Sequence, residues 1–368
     1  MIRVLHVMGC SDAGGISSVV LNYYRHIDRT RVHFDIALTI PTVGQNGNAL
    51  QELGAEIHFL PLKSEGLSAF CKTLEELLRK GKYDAIHVHE DETSYVALAV
   101  AKKMGIRCRL AHSHTSSPYE NIKSEIRRLS GCILNYHYAT RVIGCGQLAG
   151  ERVFGKWNMK RPKAVVLPNA IDTRKFAYDP VLRDEVRGEL GLEGKYVLGM
   201  VGRLCEEKNY PFALELMAKL RQERPESMLV IAGNGDHREL IEQKIQELNI
   251  GDNVMLLGRR SDVHRLYQAF DVFLLPSFHE GFPVAAVEAM ASGLPVLFSE
   301  RITRELSFGS AVAYLPLERM EEWLLTLQNI ENTEPERNIR QGEPKEHALD
   351  IRDTAAMLEE LYCMDLKQ

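Results

Sequence analysis

The sequence feature that most constrains the fold is the stretch 273–295, which joins an apolar run, a glycine-containing turn and a helix-forming segment. The run Val272–Leu275 is short and does not alternate with polar residues, as in strands of a parallel sheet covered on both faces. Pro283 suits the first turn of the following helix, where its missing N–H would have no partner. Gly293 and Pro295 then end that helix. The stretch therefore predicts a strand, a tight turn and a helix within a parallel α/β sheet.

The turn at 281–284 is a predicted anion site, because the first N–H groups of a helix are unpaired and point toward whatever precedes it. Glu280 lies just before this helix and Glu288 lies inside it. Carboxylates beside a bound phosphate are useful if they accept hydrogen bonds from sugar hydroxyls, as an acidic residue does on the ribose in dinucleotide sites. Alternatively, Glu280 is a charge at a helix start and Glu288 is a solvated surface acid.

Length, charge and cysteine content limit the class of protein. The chain has 368 residues, of which 45% are hydrophobic and 26% charged, as expected for two soluble globular domains. A net charge of −5 argues against a nucleic-acid partner. Residues 1–3 lead directly into an apolar strand, and no apolar run reaches the ~18 residues of a spanning helix, so we expect no signal peptide and no transmembrane segment. Seven scattered cysteines without a Cys-x-x-Cys pair favour a reduced, cytoplasmic setting.

The first half of the chain alternates predicted strands with predicted helices, which is typical of a doubly wound α/β domain. Strands are predicted at 4–8, 34–38, 56–59, 85–89 and 107–111, and helices at 67–78 and 94–103. The first strand leads into the glycine-rich loop 9–15 and a helix from Ile16, the arrangement of a ligand-facing turn at the carboxyl edge of a parallel sheet. The loop lacks the Gly-x-Gly-x-x-Gly and P-loop patterns, so a tight turn without a ligand is the alternative.

Two of the predicted strands end in paired histidines, His87 with His89 and His112 with His114. Alternate residues of a strand share a face, so each pair could contribute ligands to zinc. No cysteine or carboxylate partners are obvious nearby, and histidines in such positions are more often structural. The residues alone leave a zinc site and a structural role open.

A second α/β unit is predicted from the strand Tyr196–Val201 onward, with the boundary between the halves somewhere in 172–195. Arg203 and Lys208 follow this strand, and together they offer a guanidinium fork and a point charge to a diphosphate. Alternatively, both cations only neutralise Glu206 and Glu207. Residues 330–348 are polar and contain proline, so they are predicted to be a linker, followed by a final helix at 349–362.

The helix predicted at 119–138 carries Lys123, Arg127 and Arg128 on one side. Such a run of charges is usually a solvated face. The alternative is a basic patch that contacts an anionic membrane surface, near a lipid-linked substrate.

Several motifs resemble those of one enzyme family. The Glu-Gly-Phe-Pro sequence from Glu280, followed by Glu-Ala-Met-Ala-Ser-Gly-Leu-Pro-Val from Glu288, closely resembles the signature of the retaining, nucleotide-sugar-dependent glycosyltransferases of family 4. Gly-Arg-Leu at 202–204 with Lys208, Ala-His-Ser-His-Thr at 111–115 and Pro-Asn-Ala-Ile-Asp at 168–172 are similar to further motifs of this family. The resemblance covers roughly the whole chain.

The resemblance implies a GT-B fold, in which two Rossmann-like, doubly wound domains face a cleft. It assigns residues 1–172 to an acceptor-binding domain and residues 173–348 to a domain that binds the nucleotide-sugar donor. It also implies that the last helix, within 349–368, crosses back to the first domain.

The resemblance implies roles for particular residues. Arg203 and Lys208 would hold the donor diphosphate, Glu280 the hydroxyls of the donor sugar and Glu288 the ribose. His114 would contact a hydroxyl near the reacting carbon; His112 replaces a common threonine, so which of the two histidines faces the donor stays open. The catalytic set is thus His114, Glu280, Arg203 and Lys208, and the further donor-binding residues are Gly14, Gly15, Gly281, Phe282, Pro283 and Glu288.

The implied reaction is transfer of a hexose from a nucleoside-diphosphate sugar, by family habit a UDP-sugar, to a hydroxyl of a glycan or lipid-linked acceptor in exopolysaccharide or capsule synthesis. Protein cations would stabilise the leaving diphosphate, so we expect neither a metal nor another cofactor. We expect the protein in the cytoplasm, with a peripheral contact to the inner membrane surface. The alternatives are a nucleotide-sugar epimerase or hydrolase of the same fold and a non-catalytic nucleotide-sugar sensor.

Overall fold

The computed structural model describes residues 1–11, 15–115, 122–307, 312–330, 337 and 349–367, with the side chains of 122–124 and 367 left out. The chain divides into two compact units. The first comprises 1–170 together with 351–368, and the second comprises 171–350.

The first unit contains a seven-stranded parallel sheet in its described part, with the order β3-β2-β1-β4-β5-β6-β7. Its strands β1 to β7 are Ile2–Met8, Val32–Leu38, Ile57–Phe59, Ala85–Val88, Cys108–Ser113, Arg141–Gly144 and Ala164–Val166. The helices α1 to α6 are Gly15–His26, Gln45–Glu52, Leu67–Gly81, Tyr95–Lys103, Ile122–Tyr138 and Gln147–Phe154. The strand order reverses between β1 and β4, which makes the sheet doubly wound, as predicted.

Apolar residues cover both faces of this sheet, as the unalternating strands require. On one face, Tyr24 of α1 packs with Leu358 of the C-terminal helix Ile351–Lys367. On the other face, Phe70 of α3 packs with Leu98 of α4. The C-terminal helix thus belongs to the core of the first unit, as the resemblance implied.

The second unit contains a six-stranded parallel sheet in its described part, with the order β10-β9-β8-β11-β12-β13. Its strands β8 to β13 are Tyr196–Val201, Ser227–Ala232, Val254–Gly258, Val272–Leu275, Val296–Ser299 and Val312–Leu315. The helices α7 to α13 are Thr173–Phe176, Pro180–Leu190, Tyr210–Glu223, Arg238–Glu247, Val263–Ala269, Val284–Ala291 and Met320–Asn329. Here too the order reverses in the middle of the sheet, between β8 and β11.

The position of Pro283 differs from the sequence prediction, and two other predicted segments extend outside the described residues. Pro283 stands immediately before α12 as its N-cap residue, whereas it was predicted in the first turn. Helix α5 begins at Ile122, and residues 119–121 of the predicted helix lie outside the described part. Most of the predicted linker 330–348 also lies outside it, but Arg337 is buried and its guanidinium donates hydrogen bonds to four main-chain carbonyls, among them that of Ser292.

Candidate active site

Two loops that carry predicted site residues lie side by side where the strand order of the second sheet reverses. The loop after β8 carries Gly202 to Lys208, and the loop after the neighbouring strand β11 carries Pro276 to Pro283. In open α/β sheets, ligands bind outside the carboxyl ends of the strands where the strand order reverses. The fold therefore gathers most of the residues predicted for the second unit at the position where such a sheet binds its ligand.

Lys208 and Glu280 form an ion pair at this position. The Lys208 Nζ lies 2.7 Å from Glu280 Oε1, and the Ser277 hydroxyl donates to the same oxygen at 2.7 Å. The lysine side chain is 19% exposed and the glutamate side chain 11%, so water screens the pair only weakly. The sequence left open that Lys208 only neutralises the charge of Glu206 or Glu207. The structure pairs it with Glu280 instead.

Two hydrogen bonds hold these two loops together. The Phe278 N–H donates to the Glu207 carbonyl at 2.8 Å, and the Asn209 side-chain amide donates to the Pro276 carbonyl at 3.2 Å. Asn209 adopts the left-handed conformation at φ 52°, which asparagine tolerates better than most residues and which starts α9. A Cβ on Gly202 would lie 3.3 Å from Lys208 Cε, so a small residue there lets the lysine stem cross the strand end.

Arg203 follows the same strand but lies in a different environment. Its side chain is 70% exposed and its guanidinium lies 3.2 Å from the Asp236 carboxylate, which is also exposed. Such a surface pair contributes little and can exchange its partner for a stronger anion. The neighbouring turn requires Gly233, whose φ is +157°, because a Cβ there would lie 1.8 Å from the Gly202 carbonyl oxygen. The structure thus places Arg203 in the same loop as Lys208 and pairs its guanidinium with Asp236.

Glu288 lies on α12, one element further along the chain. The Tyr267 hydroxyl of α11 donates to Glu288 Oε2 at 2.8 Å. Burial raises the pKa of Glu288 to about 7, while the hydrogen bond from Tyr267 works in the opposite direction. Phe282 is buried and Gly281 partly buried in the turn before the helix. Glu280 and Glu288 therefore have different partners, although they flank one turn.

The glycine pair predicted after β1 is described only in part. Gly14 lies outside the described residues, and Gly15 is the first residue of α1. A Cβ on Gly15 would meet no described heavy atom within 4 Å. The described structure therefore gives no steric reason for glycine at this position, and its role near a ligand stays a prediction.

Both predicted histidine pairs belong to one cluster in the first unit. His87, His89, His112 and His114 lie on one face of the sheet, and His6 of β1 joins them because it is paired in register with His87. Ring nitrogens of neighbouring histidines lie 2.9–3.2 Å apart, at hydrogen-bonding distance. Burial lowers the pKa of His6 and of His114 to about 3 and lowers the pKa of the other three well below the ordinary value. The five rings are therefore neutral at pH 7.

Three residues of this cluster's surroundings were missed by the sequence analysis. His6 could have been found, because it occupies the same strand face as the histidine pairs. Tyr362 lies in the C-terminal helix, and its hydroxyl oxygen is 2.8 Å from His87 Nδ1, a contact that only the fold creates. Asp91 adopts φ 46° and accepts the His114 main-chain N–H at 3.0 Å, and burial raises its pKa to about 6.

Two sets of three histidines in the cluster bring their ring nitrogens as close together as a metal site would. One ring nitrogen from each of His89, His112 and His114 lies within 4.8 Å of the others, and His6, His87 and His89 meet the same condition. Neutral imidazole is the form that binds zinc. Some ring nitrogens of the cluster are hydrogen-bonded to one another, whereas His112 Nε2 and His114 Nδ1 have no partner among the described residues.

Comparisons with known proteins place the whole chain in one family. Residues 13–175 match the family model described as Glycosyltransferase Family 4, and residues 183–304 match the model described as Glycosyl transferases group 1. The chain is 33% identical over 364 residues to glycosyltransferase EpsF of Bacillus subtilis, covering 97% of this chain and 92% of the relative.

A second relative agrees with this placement, and one solved structure shows the same fold. The chain is 29% identical over 310 residues to the UDP-Gal:alpha-D-GlcNAc-diphosphoundecaprenol alpha-1,3-galactosyltransferase of Escherichia coli, covering 81% of this chain and 79% of that one. The structure of Anabaena Alr3699/HepE in complex with UDP-glucose superposes with a TM-score of 0.80 at 19% identity, with all of both chains covered. This chain is therefore a glycosyltransferase of family 4 with the GT-B fold.

Proposed function

We propose that the enzyme moves a sugar from a UDP-sugar to a hydroxyl of a glycan or lipid-linked acceptor, with retention of anomeric configuration, in the synthesis of an extracellular polysaccharide. The observation that carries the proposal is the Lys208–Glu280 ion pair at the reversal point of the second sheet. The names of the Escherichia coli relative and of the HepE complex support a uridine donor, and the former supports a lipid-linked acceptor.

The departing diphosphate gathers negative charge, which preorganised cations stabilise best. An ammonium group has three donors, so Lys208 can keep its contact to Glu280 and also donate to a phosphate oxygen. Arg203 would add a fork once it leaves Asp236, and the first N–H groups of α12 would add a partial positive charge. These groups supply the charge that the reaction needs, so we propose transfer without a metal cofactor.

The sugar develops oxocarbenium character in the transition state and must be held while the acceptor approaches. Lys208 and Ser277 hold Glu280 Oε1 in place, and a carboxylate accepts hydrogen bonds from hydroxyl groups. We propose that Glu280 binds donor sugar hydroxyls and that Glu288 binds the ribose. Because its pKa is about 7, Glu288 could accept or donate in that contact at neutral pH. His114 is proposed to contact a hydroxyl near the reacting carbon.

A donor panel tests this function. The purified protein is incubated with UDP-, GDP- and ADP-sugars, and release of the nucleoside diphosphate is followed with and without lipid-linked sugar acceptors. We expect release from one UDP-sugar that depends on an acceptor. Acceptor-independent hydrolysis or epimerisation would identify the alternative enzyme, and donor binding without turnover would identify a sensor.

Helix α5 presents an apolar stripe beside basic residues. Ile126, Leu129 and Ile133 are 61%, 50% and 68% exposed, and their spacing of three and four residues places them on one side of the helix. Arg127 contacts Glu92 at 2.8 Å, Arg128 contacts Glu125, and the side chain of Lys123 lies outside the described residues. In the described part, no helix is long and apolar enough to cross a bilayer. We propose that this stripe lies on an anionic membrane surface, where a lipid-linked acceptor would be found.

The variant Ile133→Ser should weaken binding to anionic vesicles by about tenfold, because burying such a side chain contributes roughly 1.5 kcal/mol or more. Co-sedimentation with phosphatidylglycerol vesicles measures this. Leu325→Ser, which changes an exposed leucine of α13 in the second unit, is the matched control and should bind as the unmodified protein does. Removing Lys123, Arg127 and Arg128 should also reduce binding and its salt dependence. Unchanged binding in both variants would refute the membrane contact.

A further inference from the structure

Five histidines and one tyrosine form a continuous chain of hydrogen-bonding contacts in the first unit. Tyr362 stands in its middle, because its hydroxyl oxygen lies 2.8 Å from His87 Nδ1 and 3.5 Å from His6 Nε2. One arm continues from His87 Nε2 to His112 Nδ1 at 3.2 Å. The other arm continues from His6 Nδ1 to His89 Nε2 at 3.0 Å and from His89 Nδ1 to His114 Nε2 at 2.9 Å.

This series of hydrogen-bonding contacts ends at two neighbouring rings, His112 and His114. His112 Nε2 and His114 Nδ1 are buried and have no hydrogen-bond partner among the described residues. The other eight nitrogens of the five rings each have a partner among the described residues. The centroids of the His112 and His114 rings lie 4.2 Å apart. A buried polar atom left without a partner costs about 1–3 kcal/mol. We therefore expect a ligand group to supply the missing hydrogen bonds when the enzyme binds its substrate.

The hydroxyl of Tyr362 determines which nitrogen donates in each hydrogen bond of the series. The single O–H of Tyr362 is best placed to donate to the closer acceptor, His87 Nδ1, and a neutral imidazole that accepts at one nitrogen carries its proton on the other. His87 therefore donates from Nε2 to His112 Nδ1, and His112 carries its proton on Nε2. In the other arm, His6 Nε2 faces the tyrosine lone pairs, so it carries the proton. His89 Nε2 and His114 Nε2 then donate in turn.

We infer that Tyr362 fixes all five histidines in the Nε2–H tautomer, so that His112 presents a donor and His114 an acceptor to one small hydroxyl group. Tyr362 and His6 are thus positioning residues that act through the rings between them and the site. A hydroxyl both donates and accepts, which matches one N–H beside one lone pair. That the hydroxyl belongs to a sugar rests on the proposed function; the tautomers do not.

The tautomers can be measured without any substrate. In the full chain labelled with ¹⁵N-histidine, long-range ¹H–¹⁵N correlation distinguishes Nδ1–H, Nε2–H and charged rings. We expect an Nε2–H signal from each of the five rings at pH 7, assigned by single substitutions. An Nδ1–H or charged form at any of the five positions would overturn the inference. So would one equivalent of bound zinc that is coordinated by one ring nitrogen of each of His89, His112 and His114.

The variant Tyr362→Phe keeps the buried ring and removes only the hydroxyl. His87 and His112 should then populate both tautomers, while the amide spectrum keeps the pattern of the folded chain. Tyr24→Phe is the control, because the Tyr24 hydroxyl lies 3.1 Å from His33 Nδ1, outside the chain of rings. It should leave all five signals unchanged. A Tyr362→Phe spectrum with His87 and His112 still purely Nε2–H would also overturn the inference, and if this variant does not fold, the unmodified protein alone decides. Absence of glycosyl transfer would refute the proposed function without touching this result.

Discussion

Replacing Lys208 by methionine is expected to lower kcat/KM for sugar transfer by about 10² or more, because a preorganised cation is lost where the diphosphate charge develops. Methionine keeps most of the length and apolar character of the lysine stem. The effect is measured as the rate of nucleoside diphosphate release at a saturating concentration of acceptor. Arg203→Ala and Glu280→Ala are expected to reduce turnover by a similar factor of about 10².

The same substitution also leaves Glu280 without its cation, which would destabilise the fold by about 1–3 kcal/mol. The double variant Lys208→Met with Glu280→Gln separates the two effects, because it removes both charges of the pair. It should recover stability in urea unfolding but not activity. Lys219→Met, which breaks an exposed pair with Glu321, is the matched control and should change neither quantity. Normal turnover in the Lys208→Met variant would remove Lys208 from the proposed mechanism.

Acidification from pH 6.5 to 5.5 is expected to lower the free energy of unfolding by about 1 kcal/mol for each of the five buried histidines. Their pKa values are depressed in the folded chain, so only the unfolded chain takes up protons in this window, and stability present above pH 6.5 is lost as the pH falls. Two acids act in the opposite sense. Asp91, with a pKa of about 6, and Glu288, with a pKa of about 7, hold protons in the folded chain that the unfolded chain has released. The net loss is then about 3 kcal/mol.

Urea unfolding monitored at both pH values measures this slope. The variant His87→Gln should reduce it by about one proton, or roughly 1 kcal/mol over the same pH step. His137→Gln, which changes an exposed histidine of α5 outside the cluster, is the matched control. Equal slopes in His87→Gln and the unmodified protein would show that the cluster is not neutral in the folded state.

Much of the fold could be predicted because buried parallel strands are short, continuous apolar runs. Tyr196–Val201 and Val272–Leu275 were predicted with the bounds that the structure shows. Other strand ends moved by one or two residues, where the apolar run and the hydrogen-bonded ladder do not end together. Pro283 was placed one position too far into α12, because composition does not distinguish an N-cap from the first turn.

The tertiary contacts of the site could not be predicted in the same way. The sequence placed Lys208 and Glu280 in loops after two strands, but only the adjacency of β8 and β11 shows that they pair with each other. Tyr362 is far along the chain from His87, and no local pattern links them. Arg337 stands in a polar stretch that suggested a linker, yet its guanidinium is buried against main-chain carbonyls. In each case the partner lies on an element distant in sequence.

The central claim is that positive groups of the second unit hold the donor's diphosphate, and titration calorimetry with UDP and with uridine tests it most directly. Uridine lacks the phosphates, so it should bind far more weakly than UDP to the unmodified enzyme. Lys208→Met should weaken UDP binding by about tenfold or more, since charge-assisted hydrogen bonds contribute roughly 1.5–3 kcal/mol, and should leave uridine binding unchanged. Equal affinity of the unmodified enzyme for UDP and uridine, or of Lys208→Met and the unmodified enzyme for UDP, would contradict the account.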